Sequence, residues 1–313
     1  MKLGLVFPGQ GSQSVGMLAD LAATYPQVQA TFGEASEVLG YDLWSLVRDG
    51  PETTLNETER TQPAMLAAGV AVWRVWNSSG GASPAVAAGH SLGEYTALVC
   101  TGALEFAHAV ELVAERGRLM QAAVPAGEGA MAAVLGLPDE RVREVCEAAA
   151  QGEVVAPANF NAPGQVVIAG HAGAVERALT LAREAGAKRA VKLAVSVPSH
   201  CNLMRPAAER LAERLDATVL AAPSAAVLHN VDAAPHEDAA ELRAALREQL
   251  YNPVRWVDTI QRMAQEGVDT VIECGPGKVL AGLVKRIDRR ITALPLPDAK
   301  TLEAALETTG ETP

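Results

Sequence analysis

In "GHSLGEY", Gly89 to Tyr95, one serine stands between two glycines, after the apolar run "AVAA" and before a helical pattern. Glycine two residues before and two residues after a serine marks a strand-to-helix elbow. A Cβ at either glycine would collide with the neighbouring strand or helix. Such a turn pushes the Ser91 side chain outward, at a helix N-terminus where free N–H groups and the dipole favour negative charge. The chemistry this suits is nucleophilic acyl transfer, with the backbone N–H of Leu92 facing the oxyanion. The plainer alternative is a glycine-rich loop whose serine merely caps a helix.

A serine nucleophile needs a base, and the chain has six histidines. His90 adjoins the serine and would have to fold back sharply to reach its hydroxyl. His108 lies early in a helical pattern, His171 opens another, and His236 sits among acidic residues. His229 follows a short strand. His200, in "SVPSHCN", ends one strand and opens a helix, where the active-site loops of α/β sheets gather. His200 is the first choice on this reading and His229 the second.

The segment "LEFAHAVELVAERGRLMQAAV" adds a cation. At helical spacing Leu112, Val113, Arg116 and Met120 share a face, whereas Arg118 falls with Glu111 and Glu115. Arg118 therefore belongs to a solvated, charge-paired surface, and Arg116 points into an apolar stripe. A buried guanidinium without a partner is expensive. It needs either a structural salt bridge or a role as a bidentate clamp for a carboxylate ligand.

The elements that must position these groups read as an α/β chain. "KLGLVF" is a buried strand running into a glycine turn, and helical patterns fill most of residues 17–79. "AVAAGHS" is a short strand, and a helix is expected from about Phe106 to Val124. Between residues 127 and 195 the order is strand, helix, two strands, helix, strand, ending in "AKRAVKLAVSV". This βαββαβ unit has its own sheet and reads as a small inserted subdomain. Residues 1–126 and 196–313 then form a discontinuous large domain. Its second part holds a strand near Ala226 to Val231, a helix to Leu250, "TVIECGPGKVLAGLVKRI" and a short helix in the tail after Leu302.

With 313 residues, 49% of them hydrophobic and 20% charged, the chain suits a soluble enzyme with a full core. A net charge of −11 speaks against nucleic acid or an anionic membrane as the main partner. The apolar run before Pro8 is too short for a signal peptide, and no segment is long enough to span a bilayer. Cys100, Cys146, Cys201 and Cys274 are scattered without a CxxC pair, as expected of reduced thiols in a cytoplasm and not of a zinc site.

Three segments together go beyond a generic elbow: "FPGQGSQ" (Phe7 to Gln13), "GHSLGEY" and "SVPSHCNLM" (Ser196 to Met204). With "ERGRLMQ", "NFNAPGQVVIAG", "QLYNPVRW" and "ECGPGKVL" in the same order, the chain resembles the bacterial malonyl-CoA:acyl-carrier-protein transacylases over nearly its whole length. The resemblance implies an α/β-hydrolase-like core carrying a ferredoxin-like subdomain. It implies Ser91 as nucleophile, His200 as base, and the backbone carbonyl of Gln249 as the group that orients the histidine. It also implies the backbone N–H of Gln10 as second oxyanion donor beside Leu92, and Arg116 as the clamp for the malonyl carboxylate.

The activity implied is a ping-pong transfer of malonyl from malonyl-CoA to the phosphopantetheine thiol of an acyl carrier protein, for fatty-acid or polyketide synthesis. The enzyme binds no cofactor or metal of its own in this reading; coenzyme A is a leaving group. The pH–rate profile of acylation is expected to rise near the free-histidine pKa of about 6.5, before environmental shifts. One rival is an acyl-thioester hydrolase using the same dyad with water as acceptor. Another is a non-catalytic carrier-docking module, which intact Ser91 and His200 argue against. An acidic carrier approaching an acidic enzyme needs a local basic surface, for which "KRAVK" (Lys188 to Lys192) and "KRIDRR" (Lys285 to Arg290) are the candidates.

Overall fold

The computed structural model describes residues 1–195 and 197–310. Ser196, which opens "SVPSHCNLM" and the second segment of the expected large domain, lies outside the described residues, as do 311–313. In chain order the strands are β1 (Leu3–Phe7), β2 (Val86–Gly89), β3 (Gly129–Leu135), β4 (Val155–Ala162), β5 (Gln165–His171), β6 (Arg189–Lys192), β7 (Ala226–Leu228), β8 (Thr270–Glu273) and β9 (Thr292–Pro295).

Two sheets result. The first runs β7-β2-β1-β8-β9 with every pairing parallel. Parallel strands need crossover helices, which cover both faces and bury the strands throughout. β1 is buried at all five positions. Its pleat sends Leu3, Leu5 and Phe7 into one core, with Ala68 and Val72 of the helix Thr58–Ser78. Val6 goes to the other face, with Ile260 of the helix Trp256–Gln265 and Val284 of the helix Val279–Ile287.

The second sheet is antiparallel, in the order β4-β5-β3-β6. With the helices Asp139–Ala150 and Ala172–Glu184 it has the element order expected for residues 127–195. The pleat again assigns the faces. Ala130, Ala132 and Val134 pack under the two helices, while Met131 and Val167 turn to the opposite side with Cys201. Reciprocal backbone bonds, Phe160 N–H to Val254 O and Val254 N–H to Ala158 O (both 2.9 Å), tie this sheet to the first body.

One expectation needs correcting, and one strand is additional. The last strand of the small sheet covers only Arg189–Lys192 of "AKRAVKLAVSV". Beyond it Leu193 N–H still bonds to Met131 O of β3 at 2.9 Å, and Leu193 and Val195 line a cleft. β9 is a strand not named from the sequence, and it ends in a proline. The proline is tolerated because β9 lies at the sheet edge and Pro295 is its last residue. Among the described residues no helix is long and apolar enough to cross a membrane.

Candidate active site

β2 ends at Gly89 and the helix Gly93–Cys100 begins four residues later, so the chain reverses within His90, Ser91 and Leu92. The room for this turn comes from its glycines. A Cβ on Gly89 would overlap the backbone of Gly93, one on Gly93 the carbonyl of Phe7, and one on Gly9 the carbonyl of His90. Ser91 itself sits at φ +52°, and His200 at φ +63°. Left-handed backbone is costly for residues with a Cβ and persists only where the surroundings enforce it.

The two residues meet. Ser91 Oγ lies 2.8 Å from His200 Nε2, although 109 positions separate them. The other ring nitrogen, Nδ1, donates to the backbone carbonyl of Gln249 at 2.7 Å, which fixes the tautomer and leaves Nε2 as the acceptor. His200 is 3% exposed. Burial, reinforced by the nearby Arg116 charge, lowers its pKa to about 3 against the pull of the Gln249 carbonyl. His200 is therefore a neutral, proton-accepting imidazole at neutral pH.

Arg116 is 1% exposed on the inner face of the helix Phe106–Ala123. Its Nη1 donates to Gln62 Oε1 (2.8 Å) and its Nη2 to Gln249 Oε1 (2.9 Å) and, more weakly, to Ser91 Oγ (3.3 Å). Both firm acceptors are neutral amides, and Nε has no partner among the described residues. No carboxylate bridges this guanidinium among the described residues, so the salt-bridge alternative is not what the fold builds. Burial lowers its pKa from the ordinary value, with Tyr95 and Glu94 opposing. Arg118 behaves as its spacing foretold, pairing at the surface with Glu115 at 2.6 Å.

Gln10 and Leu92 line the same cleft. Neither backbone N–H donates to a protein group among the described residues, whereas the amides of Gly11 and Ser91 are taken by Gln13 Oε1 and Asn230 Oδ1. Two free N–H groups beside a nucleophile are what a developing oxyanion requires. The cleft has a volume of about 390 Å³. Met131 and Val167 of the small sheet and Leu193 and Val195 just past β6 form one wall, and Val279 and Leu283 the other. Among the described residues no group of three or more His, Cys, Asp or Glu side chains is arranged to hold a metal ion.

The remaining histidines are accounted for by other contacts. His229 is fully buried and bonds through Nδ1 to Glu94 Oε1 at 2.7 Å, so it supports the elbow and does not reach Ser91. His90 turns away from the serine to Asn161 Oδ1 at 2.8 Å. Sequence reasoning passed over Gln62, Glu94, Asn159, Asn161 and Asn230, all in or behind this site. One carried a legible signal: Glu94 is the one charged residue of "GEYTALVC".

With this geometry in hand, comparison with known proteins is informative. Residues 5–301 match the family model of the acyl transferase domain. A malonyl CoA-acyl carrier protein transacylase of Escherichia coli is 56% identical over 306 residues, 98% of this chain and 99% of its own. A protein of that name from Bacillus subtilis is 47% identical over 99% of this chain and 98% of its own. The structure of the malonyl CoA-acyl carrier protein transacylase from Coxiella burnetii superposes with a TM-score of 0.98 at 51% identity, covering 99% of this chain and 98% of that one. A malonyl-transacylase solved in complex with a type II PKS acyl-carrier protein gives 0.97 at 54% identity, over 98% and 100%.

Proposed function

This chain belongs to the family of malonyl CoA-acyl carrier protein transacylases, and from that premise we propose that Ser91 carries the malonyl group between its two thiols. The activity is transfer of malonyl from malonyl-CoA to acyl carrier protein. In the proposed course His200 Nε2 takes the Ser91 proton as Oγ attacks the thioester carbonyl. The tetrahedral oxyanion sits between the N–H groups of Gln10 and Leu92. Collapse breaks the C–S bond, and His200 returns the proton to the departing coenzyme A thiolate. The phosphopantetheine thiol of the carrier then gives its proton to His200 and attacks the malonyl-serine ester, and Ser91 leaves reprotonated.

One observation carries this reading of the site. The malonyl carboxylate is one methylene from the acyl carbon, so its clamp must lie beside the nucleophile. Arg116 Nη2 is 3.3 Å from Ser91 Oγ, held by neutral amides and unpaired with any carboxylate among the described residues. The backbone carbonyl of Gln249 takes the place of a triad acid. The same guanidinium disfavours the hydrolase alternative, because a scavenger of acyl thioesters has no use for a buried carboxylate clamp.

The sheet order β4-β5-β3-β6 in a βαββαβ unit supports a ferredoxin-like subdomain over residues 127–195. The strand–elbow–helix around Ser91 supports an α/β-hydrolase-like core for residues 1–126 and 196–313. Four cysteines without a disulfide among the described residues suit a cytoplasmic setting.

Substrate choice tests the clamp. Acetyl lacks the carboxylate and leaves the guanidinium unpaired, and losing one partner of a buried pair costs roughly 3–5 kcal/mol, about 10²–10³ or more in kcat/KM. Arg116→Ala should lose most malonyl transfer and use acetyl-CoA at least as well as the parent. Arg116→Lys should recover only part, for want of the planar fork, and Arg118→Ala should change little. The measurement is the malonyl-to-acetyl ratio of kcat/KM, with intact-protein mass after brief malonyl-CoA exposure. A parent-like ratio in Arg116→Ala would remove the clamp. Rapid release of malonate without a carrier would favour the hydrolase.

A further inference from the structure

The helix that follows the nucleophile, "GEYTALVC", contains one charged side chain, and it is entirely buried: Glu94 is 0% exposed. A carboxylate taken out of water must be satisfied by donors or it destabilises the fold. Glu94 has three. Its Oε1 accepts from His229 Nδ1 (2.7 Å), and its Oε2 accepts from the backbone N–H of Asn230 (2.9 Å) and from Gln249 Nε2 (2.9 Å).

Two of these donors also hold the residues of the site. Asn230 accepts the Ser91 N–H on its Oδ1 (2.7 Å) and donates from Nδ2 to the carbonyl of Gly89 (2.7 Å), so it clasps the elbow. Gln249 holds His200 through its backbone carbonyl and Arg116 through its side-chain Oε1. A primary amide fits its slot in two orientations that exchange donor and acceptor. Here Nε2 is drawn away from Arg116 by two acceptors, Ser91 O (2.9 Å) and Glu94 Oε2. Turned over, the amide would set its N–H groups against the guanidinium and its oxygen against the carboxylate.

We propose that Glu94 is a positioning residue for acyl-group selection: by fixing the Gln249 amide with its oxygen toward Arg116, it aims the guanidinium at the acyl group on Ser91. The inference rests on the reading of Arg116 as the carboxylate clamp. It assigns Glu94 no contact with substrate. His229 is its support, and His229 Nε2 has no partner among the described residues.

Two substitutions separate reach from charge. Glu94→Asp keeps the carboxylate but withdraws it by one methylene from Gln249. Glu94→Gln keeps the reach. Its amide oxygen can still accept from Asn230 and Gln249, while its NH₂ faces His229, whose ring can accept at Nδ1 by moving its proton to the unpartnered Nε2. The readout is the malonyl-to-acetyl ratio of kcat/KM on the full-length enzyme, with Arg116→Ala in parallel and melting temperatures for each variant.

Glu94→Asp should lower the ratio by about tenfold or more, the scale of one misplaced hydrogen bond to a charged group, and Glu94→Gln should stay within about threefold of the parent or above it. A ratio within about threefold of the parent in Glu94→Asp, even with a lowered melting temperature, overturns the proposal. An equal loss in Glu94→Gln overturns it too, because charge would then be the acting property. Should Glu94→Asp fail to fold, Gln249→Met removes the same amide and leaves the carbonyl that holds His200. A parent-like ratio there is equally fatal. If Arg116→Ala itself keeps the parent ratio, it is the clamp reading that falls.

Discussion

At the scale of single residues, the site is governed by what burial does to ionisable groups. Ser91 and His200 are two of the five non-glycine residues held at positive φ among those described, so both members of the pair that meets at 2.8 Å sit on strained backbone. The expected midpoint near the ordinary histidine pKa does not survive this environment. Burial first, and Arg116 second, bring His200 down to about 3, so the base stays neutral through the neutral range. Acylation should be flat there and fall only in acid, well below the free value of about 6.5. In the unfolded chain His200 binds its proton near that free value, so its contribution to stability is fully present above about 6.5 and is lost as pH falls toward the folded value. Ser91→Ala should abolish the malonyl adduct, and His200→Ala should slow its formation by about 10²–10⁴. Quenched intact-mass kinetics across pH reads both. A midpoint at or above 6.5, or a defined adduct on Cys201 in the serine variant, would contradict the assignment.

At the scale of elements, the elbow and one helix face do most of the placing. The helix Phe106–Ala123 separates its arginines by two positions, enough to bury Arg116 and leave Arg118 half exposed in its pair with Glu115. The elbow depends on missing atoms. Gly93 lies against the carbonyl of Phe7 where β1 ends, and its added Cβ would meet the Phe7 and Pro8 carbonyls. The neighbour is rigid sheet backbone, so Gly93→Ala cannot be absorbed by a rotamer change. It should cost about 1–3 kcal/mol of stability, the range for overpacking, and reduce acylation together with it. Denaturant unfolding and adduct formation, measured side by side, check this. Parent-like values of both would mean that the turn has more room than the backbone allows.

At the scale of the whole molecule, the cleft lies between two sheets, and a separate groove brings distant charges together. The basic segments at 188–192 and 285–290 converge. Lys188, Arg189 and Arg286 line one groove of about 460 Å³, with Gly136 and Gly164. Arg286 is on the helix Val279–Ile287, whose Val279 and Leu283 form a wall of the cleft, so groove and cleft share an element. Two cations of those segments are engaged elsewhere: Lys192 with Glu176 at 3.4 Å and Arg290 with Asp288 at 2.6 Å. The docking test therefore belongs on the three that converge. Reversing Lys188, Arg189 and Arg286 to glutamate should raise the KM for the carrier, steepen with falling salt, and leave the KM for malonyl-CoA in place. Unchanged carrier kinetics would clear this groove of a docking role.

Sequence by itself determined what depends on neighbours along the chain. The glycine spacing around Ser91 implied an elbow, because a tight turn is a local steric fact. Helical periodicity put Arg116 inward and Arg118 outward, and the strand and helix patterns over 127–195 appeared in the order found. The family resemblance supplied Gln10 and Gln249, which spacing alone did not; unaided, His200 was the first choice as base and His229 the second. Only the tertiary structure decided between those two histidines, sending one to Ser91 and the other to Glu94. It also decided what pairs with Arg116, how far His200 is desolvated, and which lysines and arginines share a groove. A hydrogen-bond partner 54, 109 or 155 positions away leaves no periodic trace in the chain. Burial of a polar group is likewise a property of everything packed around it, so Glu94 and Gln62 acquire their meaning only once the sheets and helices have closed over them.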